Sequence, residues 1–259
     1  MSSWLKTGKE SAALQKQEEV EAQKRKEEQG KMFRFFIKQD EEARITFVDG
    51  ALDGNGYLTP PRFYEHGIKV AGKFETYACP EKTAPESGDK CPICASGDRP
   101  YLVSLFTIID HREIPSNDGT KTYKDTPKLL ALKPTGFELI AHKAKKNGGL
   151  AGKTYDVSRL GENAVATGDV YDFVESNTIE DLQEKYKRET SDGKGNKVVK
   201  SFFVPADYEK EIVFRTGDEL RELGLGVVTA SKGSTKSDKA YTPPSQQYIE
   251  DNKDYSAEL

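Results

Sequence analysis

The chain has 259 residues, of which 35% are hydrophobic and 32% are charged, and its formal net charge is −4. This length allows one large domain or two small ones, and the charged fraction predicts that part of the chain never enters a core. The apolar runs are too short to span a bilayer and no apolar signal segment opens the chain. We therefore expect a cytoplasmic protein with no membrane partner.

The charge is distributed unevenly along the chain. Residues 1–160 carry 26 Lys and Arg against 23 Asp and Glu, whereas residues 161–259 carry 13 against 20. A mildly basic body joined to an acidic end can bind a polyanion on one side and shield itself with the other. A solvated charged face gives the same count, so this feature is compatible with both interpretations.

Residues 1–31 are predicted to form a polar helical arm. Helix-forming residues dominate residues 10–30, and the few apolar ones cannot form a continuous stripe. The arm therefore extends into solvent or docks on another molecule. The basic cluster at residues 24–26 is a candidate contact for a neighbour or a phosphate.

Strand patterns begin at Met32, where residues 32–38 and 43–48 flank an acidic turn and predict a β-hairpin. The residues predicted to be buried are Phe33, Phe35, Ile37, Ala43, Ile45 and Phe47. Those predicted to face outward are Arg34, Phe36, Lys38, Arg44 and Thr46. An exposed ring between two cations suits stacking on a base, although a ring packed under a loop gives the same pattern.

Residues 62–100 are predicted to form a metal-binding subdomain. His66 is followed by Cys79, Cys91 and Cys94, which are all the cysteines of the chain. A Cys-x-x-Cys turn directs two sulfurs at one point, and zinc takes four nitrogen or sulfur ligands tetrahedrally. A closed set of four predicts a structural zinc ion. The segment has too few apolar residues for a core of its own, so we expect the metal to fold it.

Two alternatives to this metal site stay open. The cysteines could be reduced and unliganded or form a redox pair, although the turn at residues 97–100 does not suit a thioredoxin-type helix. His111 could replace His66 as the fourth ligand. The odd number of cysteines argues against a disulfide framework.

The remaining elements are taken in chain order. Residues 101–110 are apolar on both faces, which predicts a central strand, and a basic loop follows. Further strands are predicted at residues 128–132, 153–158, 169–175 and 198–204, and helices at 136–146, 179–187 and 217–223. Thr135 and Thr216 are expected to cap helices, and Gly148 to end one. Residues 230–247 predict a flexible linker before an acidic end.

One stretch of the chain resembles a known family. The run His-Gly-Ile-Lys-Val-Ala-Gly-Lys-Phe at residues 66–74, then Cys79 and Cys91-Pro92-Ile93-Cys94, follow a strand, an acidic turn and a strand. This order resembles the zinc-containing single-stranded DNA-binding protein of tailed bacteriophages, the gene-32 type. The match covers residues 32–110 and continues loosely to about Val204.

The resemblance implies that His66, Cys79, Cys91 and Cys94 hold zinc. It also implies a protein of DNA replication, recombination and repair in the cytoplasm of an infected host cell. The expected fold is mainly β with a few helices: an OB-fold barrel in residues 32–228 with the zinc subdomain inserted at 62–100. The arm at 1–31 would self-associate along DNA, and the flexible acidic tail at 229–259 would recruit replication and recombination proteins.

The leading interpretation is a sequence-independent protein that binds single-stranded DNA in a groove of cations and aromatic rings. The groove residues predicted from the sequence are Arg34, Phe36, Lys38, Arg44, Lys69, Lys73, Tyr77, Tyr101, Arg112, Tyr123 and Lys124. The alternative is a zinc-stabilised protein-interaction module without direct nucleic-acid binding, which the acidic net charge favours. No nucleophile elbow or phosphate loop is present, so the sequence predicts no enzyme.

Overall fold

The computed structural model describes residues 8–9, 11–15, 18–19, 31–70, 72–115, 120, 122–160, 164–191 and 196–226, without the side chains of residues 73, 190 and 191. All of these belong to one compact unit, Met1–Val227. The predicted tail lies outside the described residues. In the predicted arm, residues 9, 11–15 and 18–19 are helical. None of the described helices is long and apolar enough to cross a membrane.

The protein combines a large sheet with short helices, which confirms the mixed, mainly β class. The strands are β1 (Glu42–Phe47), β2 (Arg62–Val70), β3 (Lys73–Ala78), β4 (Tyr101–Asp110), β5 (Ile114–Pro115), β6 (Thr122–Tyr123), β7 (Thr126–Leu132), β8 (Lys153–Ser158), β9 (Val170–Ser176), β10 (Lys187–Ser191) and β11 (Lys197–Ser201). The helices are α1 (Pro80–Thr83), α2 (Pro92–Ala95), α3 (Pro134–Asn147), α4 (Ile179–Lys185), α5 (Tyr208–Glu211) and α6 (Gly217–Glu222), with a 3-10 turn at Pro85–Ser87.

Seven antiparallel strands form the main sheet, in the order β3-β2-β4-β1-β8-β9, with β7 also paired to β4. Strand β4 is central, as predicted, because β7 pairs along Ser104–Asp110 while β2 and β1 pair with its two ends. Its residues from Val103 onward are buried. Two small hairpins, β5–β6 and β10–β11, lie outside this sheet.

The ladders among the described residues form an open sheet and do not close into a barrel. Residues 33–37 partly span the gap between β7 and the segment before β9. The amide of Phe35 donates to the carbonyl of Leu129 at 2.8 Å, and the amide of Ile37 donates to that of Ala166 at 2.8 Å. The single bridge Arg34–Leu129 is parallel. The OB-fold barrel therefore stays a prediction.

The predicted hairpin of residues 32–38 and 43–48 is wrong, because residues 33–35 pair with β7 and Ile37 pairs with Ala166, rather than with β1. Phe35 and Ile37 are buried as predicted, whereas Phe33 is 78% exposed. Thr46 is buried rather than outward-facing. Its hydroxyl oxygen lies 2.7 Å from Nε2 of His111 and 2.8 Å from the hydroxyl of Thr154 on β8.

Helix α3 confirms the predicted stop but not the predicted cap. The N-cap is Lys133 and the first helical residue is Pro134, so Thr135 is already inside the helix. Proline suits this position because the first helical amide has no partner within the helix. Gly148 ends the helix in the left-handed conformation, with φ of +70°.

The main core lies under this sheet. The ring of Phe47 packs edge-on against Phe106 and Tyr155, with centroids 5.8 and 5.6 Å apart. Ile140 and Ala144 of α3 are fully buried against the same cluster. Burying this face fixes β1, β4 and β8 and leaves the β2–β3 hairpin projecting from one end of β4.

Candidate metal centre and adjoining cleft

The structure brings the four predicted metal ligands together. His66 lies in β2, Cys79 directly follows β3, Cys91 is the N-cap of α2, and Cys94 lies within that helix. Register places His66 opposite Tyr77, two residues before Cys79. Pro92 begins α2, and the amide of Ala95 donates to the carbonyl of Cys91 at 3.1 Å, so a tight helical turn directs both sulfurs inward.

The distances within this cluster fit one tetrahedral ion. Nε2 of His66 lies 3.4 Å from Sγ of Cys91 and 3.5 Å from Sγ of Cys94, and the sulfurs of Cys79 and Cys94 are 3.7 Å apart. Zinc bonds of about 2.3 Å to sulfur and about 2.0 Å to nitrogen give tetrahedral edges of about 3.8 and 3.5 Å. All four ligand atoms lie within 4.8 Å of one another, so this buried cluster can hold a metal ion.

Asp98 orients the imidazole of His66. Its Oδ2 lies 2.6 Å from Nδ1. A carboxylate accepts hydrogen bonds, so Nδ1 carries the proton and Nε2 turns its lone pair towards the sulfurs. His111 does not take part, because its Nδ1 lies 2.5 Å from Asp125 and its Nε2 faces Thr46. Of the two histidines left open by the sequence, the structure places His66 in the cluster.

The three thiols cannot easily all be charged without a compensating cation. Burial raises the pKa of Cys79 and of Cys94 above the usual range. Burial acts in the same direction on Cys91, but its interaction with the imidazole of His66 and hydrogen bonds from backbone amides lower the pKa of Cys91 to about 7. A dication bound among the sulfurs would favour the thiolate form of the cysteines, which burial alone disfavours.

A small core surrounds the metal cluster. Cys79, Cys91 and Ile93 pack against Leu220 of α6 and Leu225, which are all buried. The amide of Gly217 donates to Asp89 at 2.6 Å, and a Cβ at Gly217 would lie 2.2 Å from the carbonyl oxygen of Lys90. Residues 62–100 were expected to lack a core of their own. In the structure, residues 217–225 supply the further apolar side chains that complete a small core around the metal cluster.

A cleft of about 2300 Å³ lies on the face of the β2–β3 hairpin that points away from the metal cluster. Successive side chains of a strand point to opposite faces. His66 and Ile68 therefore contact the metal core, while Glu65 lines the cleft. On β3, Phe74 and Thr76 line the cleft and Tyr77 packs on the metal core. One hairpin thus builds a wall of both sites.

Aromatic rings are the main feature of the cleft. Phe33, Phe36, Phe74 and Tyr123 line it and are 78%, 57%, 66% and 52% exposed. A fifth ring, Tyr101, is half-buried, with Nζ of Lys133 3.8 Å from its centroid. Burial raises the pKa of Tyr101 to about 12, so its hydroxyl stays neutral at physiological pH. The rings come from four separate parts of the chain.

Cations and carboxylates are nearly balanced in the cleft. Six cations and five carboxylates lie among the described residues that line it. The cations are Arg34, Lys38, Arg112, Lys128, Lys133 and Arg159. The carboxylates are Glu41, Glu42, Glu65, Glu113 and Asp169. The lining is therefore rich in rings and close to neutral in formal charge.

Six of the predicted groove residues line this cleft, namely Arg34, Phe36, Lys38, Tyr101, Arg112 and Tyr123. Arg44, Lys69, Tyr77 and Lys124 are not among the described residues that line it. The guanidinium of Arg44 instead donates two hydrogen bonds to Asp156 at 2.7 and 2.9 Å. The side chain of Lys73 lies outside the described residues.

Sequence reasoning missed several residues of the cleft. Phe33 was expected to be buried, and Phe74 was noted only as part of a motif. Lys133 reaches the cleft as the N-cap of α3, and Arg159 from the turn after β8. Alternation along β3 places Phe74 and Tyr77 on different faces of the strand. It is the one sequence signal that indicates Phe74, and it does not bear on the other three residues.

No protein-family model matches the chain, and no curated protein matches it either. The function is therefore inferred from the metal cluster and the cleft themselves.

Proposed function

We propose that the protein binds single-stranded DNA without sequence preference, in the aromatic cleft, and that a structural zinc ion braces one wall of that cleft. The observation that carries this proposal is the set of four rings, each more than half exposed, in a single cleft with exposed cations beside them. Single exposed rings are ordinary on a protein surface, but rings gathered in one concave site mark a binding surface.

Unpaired bases suit this cleft because every base has a flat face that can stack on an aromatic ring. Such stacking contributes about 1–3 kcal/mol per base and tolerates any sequence. Paired bases in a duplex do not offer that face. The proposal therefore includes a preference for single over double strands.

Zinc suits the metal cluster because three sulfurs and one imidazole nitrogen, all within 4.8 Å of one another, form a closed ligand set. When bound, the ion supplies structural cross-linking, since no ligand position is left for water. His66, Cys79, Cys91 and Cys94 would hold it, with Asp98 fixing the imidazole.

The finer features of the proposal rest on the resemblance to the phage gene-32 type. They are an OB-type core, which the bridging segment at residues 33–37 supports, and a role in phage DNA replication, recombination and repair. Recruitment of partners by the tail concerns residues outside the described part of the chain, and self-association through the arm concerns a segment described only at residues 8–9, 11–15 and 18–19. The proposal assigns no catalytic activity.

Titration of a labelled oligonucleotide tests the proposal, with anisotropy measured for single-stranded and duplex forms of one sequence. We expect the single strand to bind more tightly. Phe36→Ala should weaken that binding about 5- to 150-fold, which corresponds to the loss of one stacked base. The matched control is Tyr57→Ala, since Tyr57 is 68% exposed but does not line the cleft. Equal affinity for duplex, or no binding at low salt, would refute the proposal.

Metal removal tests the role assigned to zinc. A chelator should weaken single-strand binding, because the β2–β3 hairpin carries both His66 and the cleft residue Phe74. Circular dichroism in parallel reports whether the main sheet survives. Unchanged affinity after verified metal loss would show that the ion does not shape the cleft.

A protein-interaction module is the second candidate, and the nearly balanced charge of the cleft favours it. An apolar cleft with few net charges can also hold a peptide. Two results distinguish the candidates. A module of that kind would bind no oligonucleotide at low salt, and its capture of a protein partner would survive nuclease treatment.

A further inference from the structure

We propose that Glu65 and Asp110 hold three of the six cleft cations in buried ion pairs and so leave phosphate contacts to Lys38, Lys133 and Arg159. Binding of a single strand would then depend on stacking more than on charge. This inference rests on the proposed function and specifies how the same cleft works.

Asp110 holds two cations in ion pairs from beneath the cleft. Its side chain is fully buried, and Arg112 donates to its two oxygens at 3.0 and 2.7 Å. Nζ of Lys128 lies 2.8 Å from the same carboxylate, and that lysine side chain is only 9% exposed. Arg112 also donates to the backbone carbonyl of Phe36 at 2.9 Å. Its guanidinium is thus held by the protein and positions an aromatic residue.

Glu65 neutralises Arg34 in the same manner. The guanidinium donates to both carboxylate oxygens, at 2.8 and 2.6 Å, and the Glu65 side chain is 3% exposed. A buried carboxylate with a bidentate arginine partner is strongly bound, because the carboxylate would otherwise be desolvated without compensation. A phosphate would have to compete with that pair for Arg34.

The other three cations are differently placed. Lys38 is 77% exposed, and its one carboxylate partner among the described residues is Glu41, at 3.4 Å on the surface. Lys133 contacts the ring of Tyr101, and Arg159 donates to the carbonyls of Ala164 and Ile37. Neither has a carboxylate partner in the described part of the chain. These are the cations that a phosphate can reach without breaking a buried ion pair.

The salt dependence of binding measures this difference directly. Each phosphate neutralised on a single strand contributes about −0.7 to the slope of log K against log salt. Three contacts predict a slope of about −2 for the wild-type protein, whereas contacts from all six cations would give about −4.

Two substitutions should make the slope steeper. Glu65→Gln leaves the charge of Arg34 uncompensated, so the slope should change by about −0.7, and Asp110→Asn should change it by up to about −1.4. A purely structural role predicts weaker binding at every salt concentration with no steeper slope. Asp156→Asn is the matched control, because it releases Arg44, an arginine outside the cleft lining. That control should leave the slope unchanged.

One further variant tests the inference without a substitution at either buried site. Lys133 is exposed, so Lys133→Gln should fold normally and should make the slope shallower by about 0.7. A wild-type slope near −4, or slopes unchanged in Glu65→Gln and Lys133→Gln, would overturn the inference while single-strand binding itself stands. Absence of single-strand binding by the wild-type protein would instead refute the proposed function.

Discussion

Replacement of Asp98 offers a direct test of the metal centre. Asp98 lies 2.6 Å from Nδ1 of His66 and its side chain is 39% exposed, so its loss should not unfold the chain. Removing such a partner of a ligating histidine costs about 10- to 100-fold in metal affinity. For Asp98→Ala we therefore expect a loss of about 1.4–2.7 kcal/mol in zinc binding. The zinc affinity of Asp98→Asn should lie between those of the wild-type protein and Asp98→Ala, because an amide oxygen still accepts a hydrogen bond from Nδ1.

The chain contains a natural control for this experiment. His111 and Asp125 form the same kind of pair, at 2.5 Å, but Nε2 of His111 faces the hydroxyl of Thr46 instead of sulfur. Asp125→Ala removes an equivalent carboxylate without touching the metal cluster, so zinc affinity should not change. A similar loss in both variants would point to general destabilisation.

Competition with a chromophoric chelator gives the zinc dissociation constant of each variant. Circular dichroism of the same samples verifies the fold. If Asp98→Ala held zinc within threefold of the wild-type affinity, the inference that Asp98 fixes the imidazole for metal binding would fail.

Three further predictions concern the surroundings of the metal centre and the cleft. Leu220→Ala, at a fully buried site beside Cys79, should lower the free energy of unfolding by about 2–5 kcal/mol in urea titration; a loss below about 0.5 kcal/mol, typical of surface sites, would contradict this. Gly67→Ala would place a Cβ 2.6 Å from the ring of Phe74, so oligonucleotide affinity should fall while the unfolding midpoint stays nearly constant; unchanged affinity would contradict the position of that ring. Burial raises the pKa of Asp110, but hydrogen bonds from Arg112 and Lys128 outweigh it and hold the pKa below its usual value. Its stabilisation is therefore complete above about pH 4 and lost as pH falls through the lowered folded value, so Asp110→Asn should reduce the acid dependence of unfolding measured between pH 2 and 6.

The metal cluster could be predicted from the sequence because the residue types and the spacing of its ligands are recognisable. Three cysteines and one histidine within 29 residues form the whole set, and the turn at Cys91–Cys94 is local. The residues that complete the core around it, Leu220 and Leu225, lie more than 120 positions later. Nothing in their local pattern indicates that contact, since any amphipathic helix can bury a leucine.

The cleft was predicted less completely, for a different physical reason. Six of the eleven proposed groove residues line it, because exposed rings and cations on strands can be recognised by alternation. Alternation gives the face of a strand but not its neighbour. The pattern of residues 32–38 predicts a hairpin with β1, whereas residues 33–35 pair with β7 and Phe33 is exposed.

The β2–β3 hairpin links the metal cluster to the cleft, because its two faces contribute residues to one site each. A two-stranded hairpin is marginally stable in water, so an isolated one cannot fix the position of a ring such as Phe74. On one face, His66 and Ile68 are held by the metal cluster and its small core. That constraint on one face orders the backbone, and the backbone in turn orders the cleft residues Glu65 and Phe74 on the other. Under the proposed function, a metal bound at this cluster would affect nucleotide binding without contacting a nucleotide, through the stiffness of a hairpin that both sites share.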